Sequence, residues 1–357
     1  MKFLFFCFCL ISLNASAQMM AFTDYNNYFK IYQNGVFRQL EFQRIISSIQ
    51  GDNIIAYVDA KSDFKVYEGG NPVLLANVQV NHKISDNILV WSSGPTVMYY
   101  TQGKKKQLTF FGRDFEVRDS LIIYEDLRAN NITAWYNGNL FPLYALIGDL
   151  YMPKAIGENI VVFKDNGSFY KVFWGSKIWD IDVWNGEIEF EAGIDIMAFN
   201  DPWSRTFTTF YKGSFFEVDA MYAKKFKCGN GYVVFEDQNG NLKLWKDEEI
   251  TALSNFPSQQ WGCKDNVIYW VENSYLKAYY KGEIYDLANF RSEEIAIKNN
   301  TIAFRNVFGG VSVFSNGTLF EASILPGTEF SISGDMVLIR QTGQSPIVVD
   351  NGKVKNP

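Results

Sequence analysis

Residues 78–111 read VQVNHKISDNILVWSSGPTVMYYTQGKKKQLTFF. Asp86-Asn87, Gly94-Pro95 and Gln102-Gly103 divide this stretch into four short runs rich in β-branched and aromatic side chains. Asn, Asp, Gly and Pro take the tight-turn conformations that other residues resist, so apolar runs punctuated by them signal consecutive hairpin-linked strands. The segment predicts four antiparallel strands.

The same unit recurs through the chain. FKIYQNG (29–35), FKVYEGG (64–70), VMYYTQG (97–103), ITAWYNG (132–138), YKVFWGS (170–176), FTTFYKG (207–213), LKLWKDE (242–248), LKAYYKG (276–282), VSVFSNG (311–317) and PIVVDNG (346–352) each carry an aromatic or β-branched residue three places before a turn. These markers are Tyr32, Tyr67, Tyr100, Trp135, Phe173, Phe210, Trp245, Tyr279, Phe314 and Val349, at intervals of 33 to 38 residues. A second turn recurs between the first and second strands, at Asp52-Asn53, Asp86-Asn87, Asp119-Ser120, Glu158-Asn159, Asn230-Gly231, Asp265-Asn266, Asn299-Asn300 and Gly334-Asp335. It is read as a run of residues that tolerate positive φ. No 12-residue window carries a capped apolar stripe of helical period.

All-β units of four strands, repeating about every 35 residues, describe the blades of a β-propeller. We expect a single propeller domain over residues 18–357, a ring of eight to ten short four-stranded blades. Ten copies of the second and third strands but nine obvious inner strands are present, because the first unit begins directly at Met19-Met20. Pairing between the first and last units is expected to close the ring. Two smaller propellers, or an open array of the same units, are the alternatives.

On these repeats, from about Met20 to Lys355, the chain resembles the WD-repeat and Tol-B-like propeller superfamily. The resemblance is architectural: the Gly-His dipeptide of WD repeats is absent, so the hydrogen-bonded tetrad built on it is not carried over.

Composition narrows the classes. A chain that is 47% hydrophobic, 17% aromatic and 20% charged is neither disordered nor coiled coil. A formal charge of −6 offers no basic field for nucleic acid. Met1-Lys2, the eleven-residue stretch Phe3–Leu13 and Ala15-Ser16-Ala17 form the n-region, h-region and cleavage site of a signal peptide, residues 1–17. Cys7 and Cys9 leave with it. No later apolar run approaches 18 residues, so direct membrane insertion is not expected. Gln18 after the cleavage site, the Asn-Gly-rich repeats and the O-glycosylation-like triplet Asp119-Ser120-Leu121 resemble exported proteins of the Bacteroidetes. The resemblance implies a periplasmic or outer-membrane-associated protein, with free secretion as the alternative.

Chemistry is sparse. There is no G-x-S-x-G, no phosphate-binding Gly-rich loop, and His82, on a predicted inner strand, has no second His to share a metal. No cofactor or metal is expected. Asp237-Gln238-Asn239-Gly240-Asn241 resembles half a calcium loop but lacks the distal Glu and reads as a turn. Glu187, Glu189 and Glu191 alternate along a predicted inner strand that faces the channel. Such carboxylates serve glycoside hydrolysis in some folds, but Lys225 and Lys227 lie 36 residues on from Glu189 and Glu191, where ion pairs between blades account for the charges. Trp174, Trp179 and Trp184 are read as inter-blade packing. Asp201, Trp203 and Arg205, in a loop, are the candidate contact for a partner or a sugar face. Cys228 and Cys263, one repeat apart, are the candidate disulfide. The reading is a non-enzymatic exported binding module or scaffold, a subunit of a cell-envelope protein complex. A glycan-directed propeller enzyme and a structural spacer are the other classes, and a glycan is the second partner class.

Overall fold

The computed structural model describes residues 18–147, 152–184 and 186–357, so the expected signal peptide, residues 1–17, lies outside the described residues. Ten antiparallel sheets follow one another along the chain, at 19–41, 47–76, 81–109, 112–145, 155–184, 190–219, 225–254, 260–288, 295–323 and 329–355. We call them blades 1 to 10. Nine have four strands in sequence order; blade 1 has three, Met19–Thr23, Phe29–Gln33 and Val36–Glu41, so its innermost strand is missing among the described residues.

Second strands such as Ile55–Val58, Leu121–Asp126 and Ile160–Lys164 are almost wholly buried, whereas fourth strands are mostly exposed. This pattern explains why the second strands read as unbroken apolar runs. Each is covered on both faces, as in a layered sheet, so polar alternation has no place. Ile54, Ala56 and Val58 enter the seam toward blade 3, while Ile55 and Tyr57 enter the seam toward blade 1.

Ten apolar clusters result, one in each seam, and the tenth joins Met20, Phe22 and Tyr32 of blade 1 to Met336, Leu338 and Val348 of blade 10. The ring is therefore closed. It closes by face-to-face packing rather than by the expected strand pairing, since the first and last sheets share no strand. Every repeat marker points into the seam with the preceding blade: Tyr67 toward blade 1, Tyr100 toward blade 2, and so on to Val349 toward blade 9. Trp174 and Trp179 pack in the seam between blades 5 and 6.

The two kinds of turn differ. In nine blades the hairpin between strands three and four has both central residues at positive φ, as in Asn34-Gly35, Asn137-Gly138 and Asn351-Gly352, which is the primed turn matching strand twist. Blade 2 uses the longer segment 68–72 instead. The turns between strands one and two were expected to need positive φ as well; four of the eight use it, at Gly231, Asp265, Asn299 and Gly334, whereas Asp52, Asn53, Asp86, Asn87, Asp119, Ser120, Glu158 and Asn159 do not. Their Asp and Asn side chains serve another purpose.

Candidate binding face

Antiparallel pairing puts the first and third turns of every blade at one end of the ring, and the second loops and inter-blade crossovers at the other. At the first end the inner turns form a belt of hydrogen bonds. Asp86 Oδ1 accepts from the Asp52 N–H (3.1 Å), Asp119 Oδ1 from the Asp86 N–H (2.7 Å) and Glu158 Oε2 from the Asp119 N–H (3.1 Å). Asn159 and Asp195, then Asn230, Asn266, Asn300 and Asp335, continue it side chain to side chain. Asp335 N–H donates to Gln18 Oε1, Met19 N–H to the Asp52 carbonyl, and Gly334 N–H to Asp52 Oδ1, which completes the circle.

Along the belt side chains are excluded at several points: a Cβ on Gly51 would sit 1.9 Å from the Ser85 carbonyl oxygen, and one on Gly193 2.2 Å from that of Gly229. Lys298 of blade 9 reaches Asp52 of blade 2 (2.5 Å) and Asp86 of blade 3 (2.6 Å). Burial works against its charge, but these two carboxylates outweigh it and raise the Lys298 pKa. Burial, then repulsion from Asp86 and Glu158, pushes Asp119 up to about 7. Ser120 of the glycosylation-like triplet donates its hydroxyl to the Glu158 carbonyl (3.1 Å), so the belt accounts for it structurally.

The opposite end has a different surface. Tyr25, Leu127, Trp203 and Phe308 lie in loops between second and third strands, and Phe42, Phe111, Met221, Phe256 and Leu325 in crossovers; all are exposed. Phe42 and Trp203 are 77% and 81% exposed, values for fully presented side chains. Elsewhere the exposed apolar groups are mostly single residues of outer strands, such as Leu140, Ile178, Ile284 and Leu319, one per blade around the rim.

Loops at this end are pinned by side-chain oxygens; of those bearing the apolar ring, the Tyr25 loop is held by Asp24, the Leu127 loop by Asp126 and the Phe308 loop by Asn306. Asp24, Asp59, Asp165 and Asp237 each open a loop, accept the N–H groups two and four residues on, and pair with Lys30, Lys65, Lys171 and Lys243 respectively. The half calcium loop is thus one of four equivalent Asp-capped turns. Its carboxyl is held at about 2 as four hydrogen bonds, two of them from Asn241 and one from Lys243, outweigh burial. Asp201 Oδ1 likewise accepts the Trp203 N–H (2.8 Å), and Arg205, at φ +61°, closes that turn onto the Asp201 carbonyl. A rigid surface loses little entropy on binding.

The chain matches the family model of the 10-bladed beta propeller domain over residues 13–354. It belongs to that family. Similar solved structures include apo AztD from Citrobacter koseri, with 13% identity over 82% of this chain and 94% of that one and a TM-score of 0.39. The computationally designed protein Ika8 has 15% identity over 85% and 95%, with a TM-score of 0.39, and a eukaryotic initiation factor has 9% over 95% and 97%, with 0.44. No curated protein matches the chain in sequence.

Within this ten-bladed ring the remaining candidates fall as follows. His82 turns into the seam with blade 2, its ring 4.8 Å from that of Phe64 and Nδ1 2.9 Å from the Val80 carbonyl, rather than standing free in the channel. Only Phe190–Ala192 of the glutamate stretch is strand; Glu187, outside it, pairs with Lys154 (2.9 Å). Glu189, Glu191, Lys225 and Lys227 line one cavity, but among the described residues no ion pair joins the two glutamates to the two lysines. Cys228 and Cys263 are free thiols. Cys228 Sγ turns toward the Glu191 carbonyl (3.3 Å) in the seam of blades 6 and 7, and Cys263 packs in the seam of blades 7 and 8.

Residues one repeat apart point the same way around the ring, so Cys228 and Cys263 each enter their own seam, while the glutamates and lysines share a cavity without closing to ion-pair distance.

Proposed function

We propose that the protein is a non-enzymatic binding module, exported to the periplasm or the periplasmic side of the outer membrane, that holds a protein partner of the cell envelope on its loop face. The observation that carries this reading is the gathering of exposed aromatic and aliphatic residues on pinned loops at one end of the ring. Exposed apolar side chains gathered on one face mark interaction sites, and aromatic and Met side chains are enriched at interface centres. The other end is occupied by the belt that closes the fold.

The test is purification of the native protein from membranes, with identification of what accompanies it, alongside two variants. Trp203→Ser with Phe308→Ser should release the partner, whereas Ile284→Ser with Leu319→Ser, on the rim, should retain it. Retention by the loop-face variant overturns the reading. So does recovery of the protein alone together with hydrolysis of soluble polysaccharide that Glu189→Gln and Glu191→Gln abolish.

A further inference from the structure

Below the loop face, the channel wall of blades 6 to 8 holds a cavity of about 500 Å³. Lys224, Lys225 and Lys227 line it together with Glu189 and Glu191. The three lysines are exposed, and among the described residues none has a carboxylate within ion-pair distance; Lys227 acts on Glu191 only at longer range. Three ammonium groups therefore face two carboxylates. Burial makes Glu191 harder to ionise, with Glu189 adding to that and Lys227 opposing it, so the local excess is positive in a chain of net charge −6. Ser258, which also lines the cavity, has a buried hydroxyl with no hydrogen-bond partner among the described residues. A buried polar group without a partner costs free energy that a bound ligand recovers.

The cavity also adjoins the apolar ring. Lys224 ends the crossover that carries Met221 and Tyr222, and this crossover is tied to the second strand of blade 6 by the Asn200 amide on the Ala223 carbonyl (2.9 Å) and to the loop of blade 7 by the Gln238 amide on the Tyr222 carbonyl (2.7 Å). A chain lying on Trp203 and Tyr222 passes the lysines. The ring mixes Ile46, Met221, Val307 and Leu325 with its aromatics, a composition that fits apolar side chains rather than flat sugar rings.

We propose that this cavity takes the carboxylates of an acidic segment, Asp- or Glu-bearing, in the protein partner that docks on the loop face; this rests on the loop-face reading above. The lysines supply attraction and register, and the apolar ring supplies most of the buried area.

Fluorescein-labelled hexaglutamate, titrated at low ionic strength and followed by anisotropy, tests the cavity without the apolar contacts. We expect saturable binding that weakens with salt and falls by about tenfold or more in Lys224→Gln/Lys225→Gln/Lys227→Gln. Lys104→Gln/Lys106→Gln, on an outer strand, should stay within about twofold of the parent. If the triple variant fails to fold, Lys225→Glu alone should give the same direction of change. Undiminished binding by the lysine variants overturns the proposal, as does tighter binding of hexagalacturonate or inorganic phosphate than of hexaglutamate. Failure of the loop-face reading shows separately, as retention of the native partner by Trp203→Ser/Phe308→Ser.

Discussion

The two ends of the ring use the same chain positions, turns between strands, for opposite ends. At the belt, Asp and Asn side chains bond to the next blade, Lys298 spans the axis to Asp52 and Asp86, and Gly193 leaves no space for a Cβ. At the loop face, Asp24, Asp126, Asp201 and Asn306 bond within their own loop and leave Tyr25, Leu127, Trp203 and Phe308 in solvent. Turns whose polar groups cross a seam build the fold, and turns whose polar groups stay at home present a surface. The comparison implies that substitutions at the belt cost stability and that those at the loop face do not.

The largest expected effect is at Lys298. Lys298→Ala leaves Asp52 and Asp86 facing each other with little solvent, and breaking a buried pair from one side costs about 3–5 kcal/mol. A shift in denaturant midpoint measures it, and a change under about 1 kcal/mol would show that the axis bridge does not hold the ring. Gly193→Ala should cost roughly 1–3 kcal/mol, because the backbone carbonyl that its Cβ meets cannot rotate away as a side chain would.

Next comes pH. Asp119 in the folded protein titrates at about 7, above the 3.8 of an unperturbed Asp. An acid raised in this way contributes stability that is complete below the unfolded pKa and is lost as pH climbs through the folded one. Stability should therefore fall from about pH 4 to 7, by no more than about 1.4 kcal/mol per pH unit. Burial, with Asp52, raises Asp86 in the same direction, while Asp237, held at about 2, titrates below that window. Asp119→Asn should flatten the profile between pH 5 and 7.5; an unchanged slope would remove Asp119 as its source.

The smallest stability effect belongs to the loop face: Trp203→Ser and Phe308→Ser should each stay within about 0.5 kcal/mol of the parent. A larger loss would mean that these side chains pack in the folded ring. The thiols sharpen the same contrast between seam and surface. Two reactive thiols should appear in denatured, unreduced protein comprising residues 18–357 and almost none in its native form, since burial pushes Cys263 to about 12 and Cys228 higher than usual.

Much of the fold was legible because each marker residue seals one seam, so an aromatic or β-branched side chain returns at every blade interval from Tyr32 to Val349. The range of eight to ten blades, the turn positions and the short first blade followed from it; the count of ten did not. The pairings of Cys228 with Cys263 and of Glu189 and Glu191 with Lys225 and Lys227 were misread because repeat spacing reports adjacency around a ring and says nothing of direction. The belt was hidden for a related reason: Asp52, Asp86 and Asp119 look like turn formers, and nothing local marks a carboxylate as bonded to the next repeat. The loop face was visible only at Trp203, flanked by Pro202 and Ser204. Phe110 and Phe111 read as the end of a fourth strand, which in fact stops at Thr109. Loops vary between repeats, so their shared exposure emerges only once the ring sets them side by side.

The account turns on which end of the ring is covered by a partner. Hydrogen exchange of the complex purified from membranes, set against the isolated protein, reads both ends in one experiment. We predict slowed exchange in loops 24–28, 202–205 and 306–310 and in crossovers 42–46 and 220–224, with the hairpins at 102–104, 137–139 and 281–283 unchanged. Protection of those hairpins, with the loops exchanging as in the isolated protein, would place the partner on the belt side and contradict the assignment.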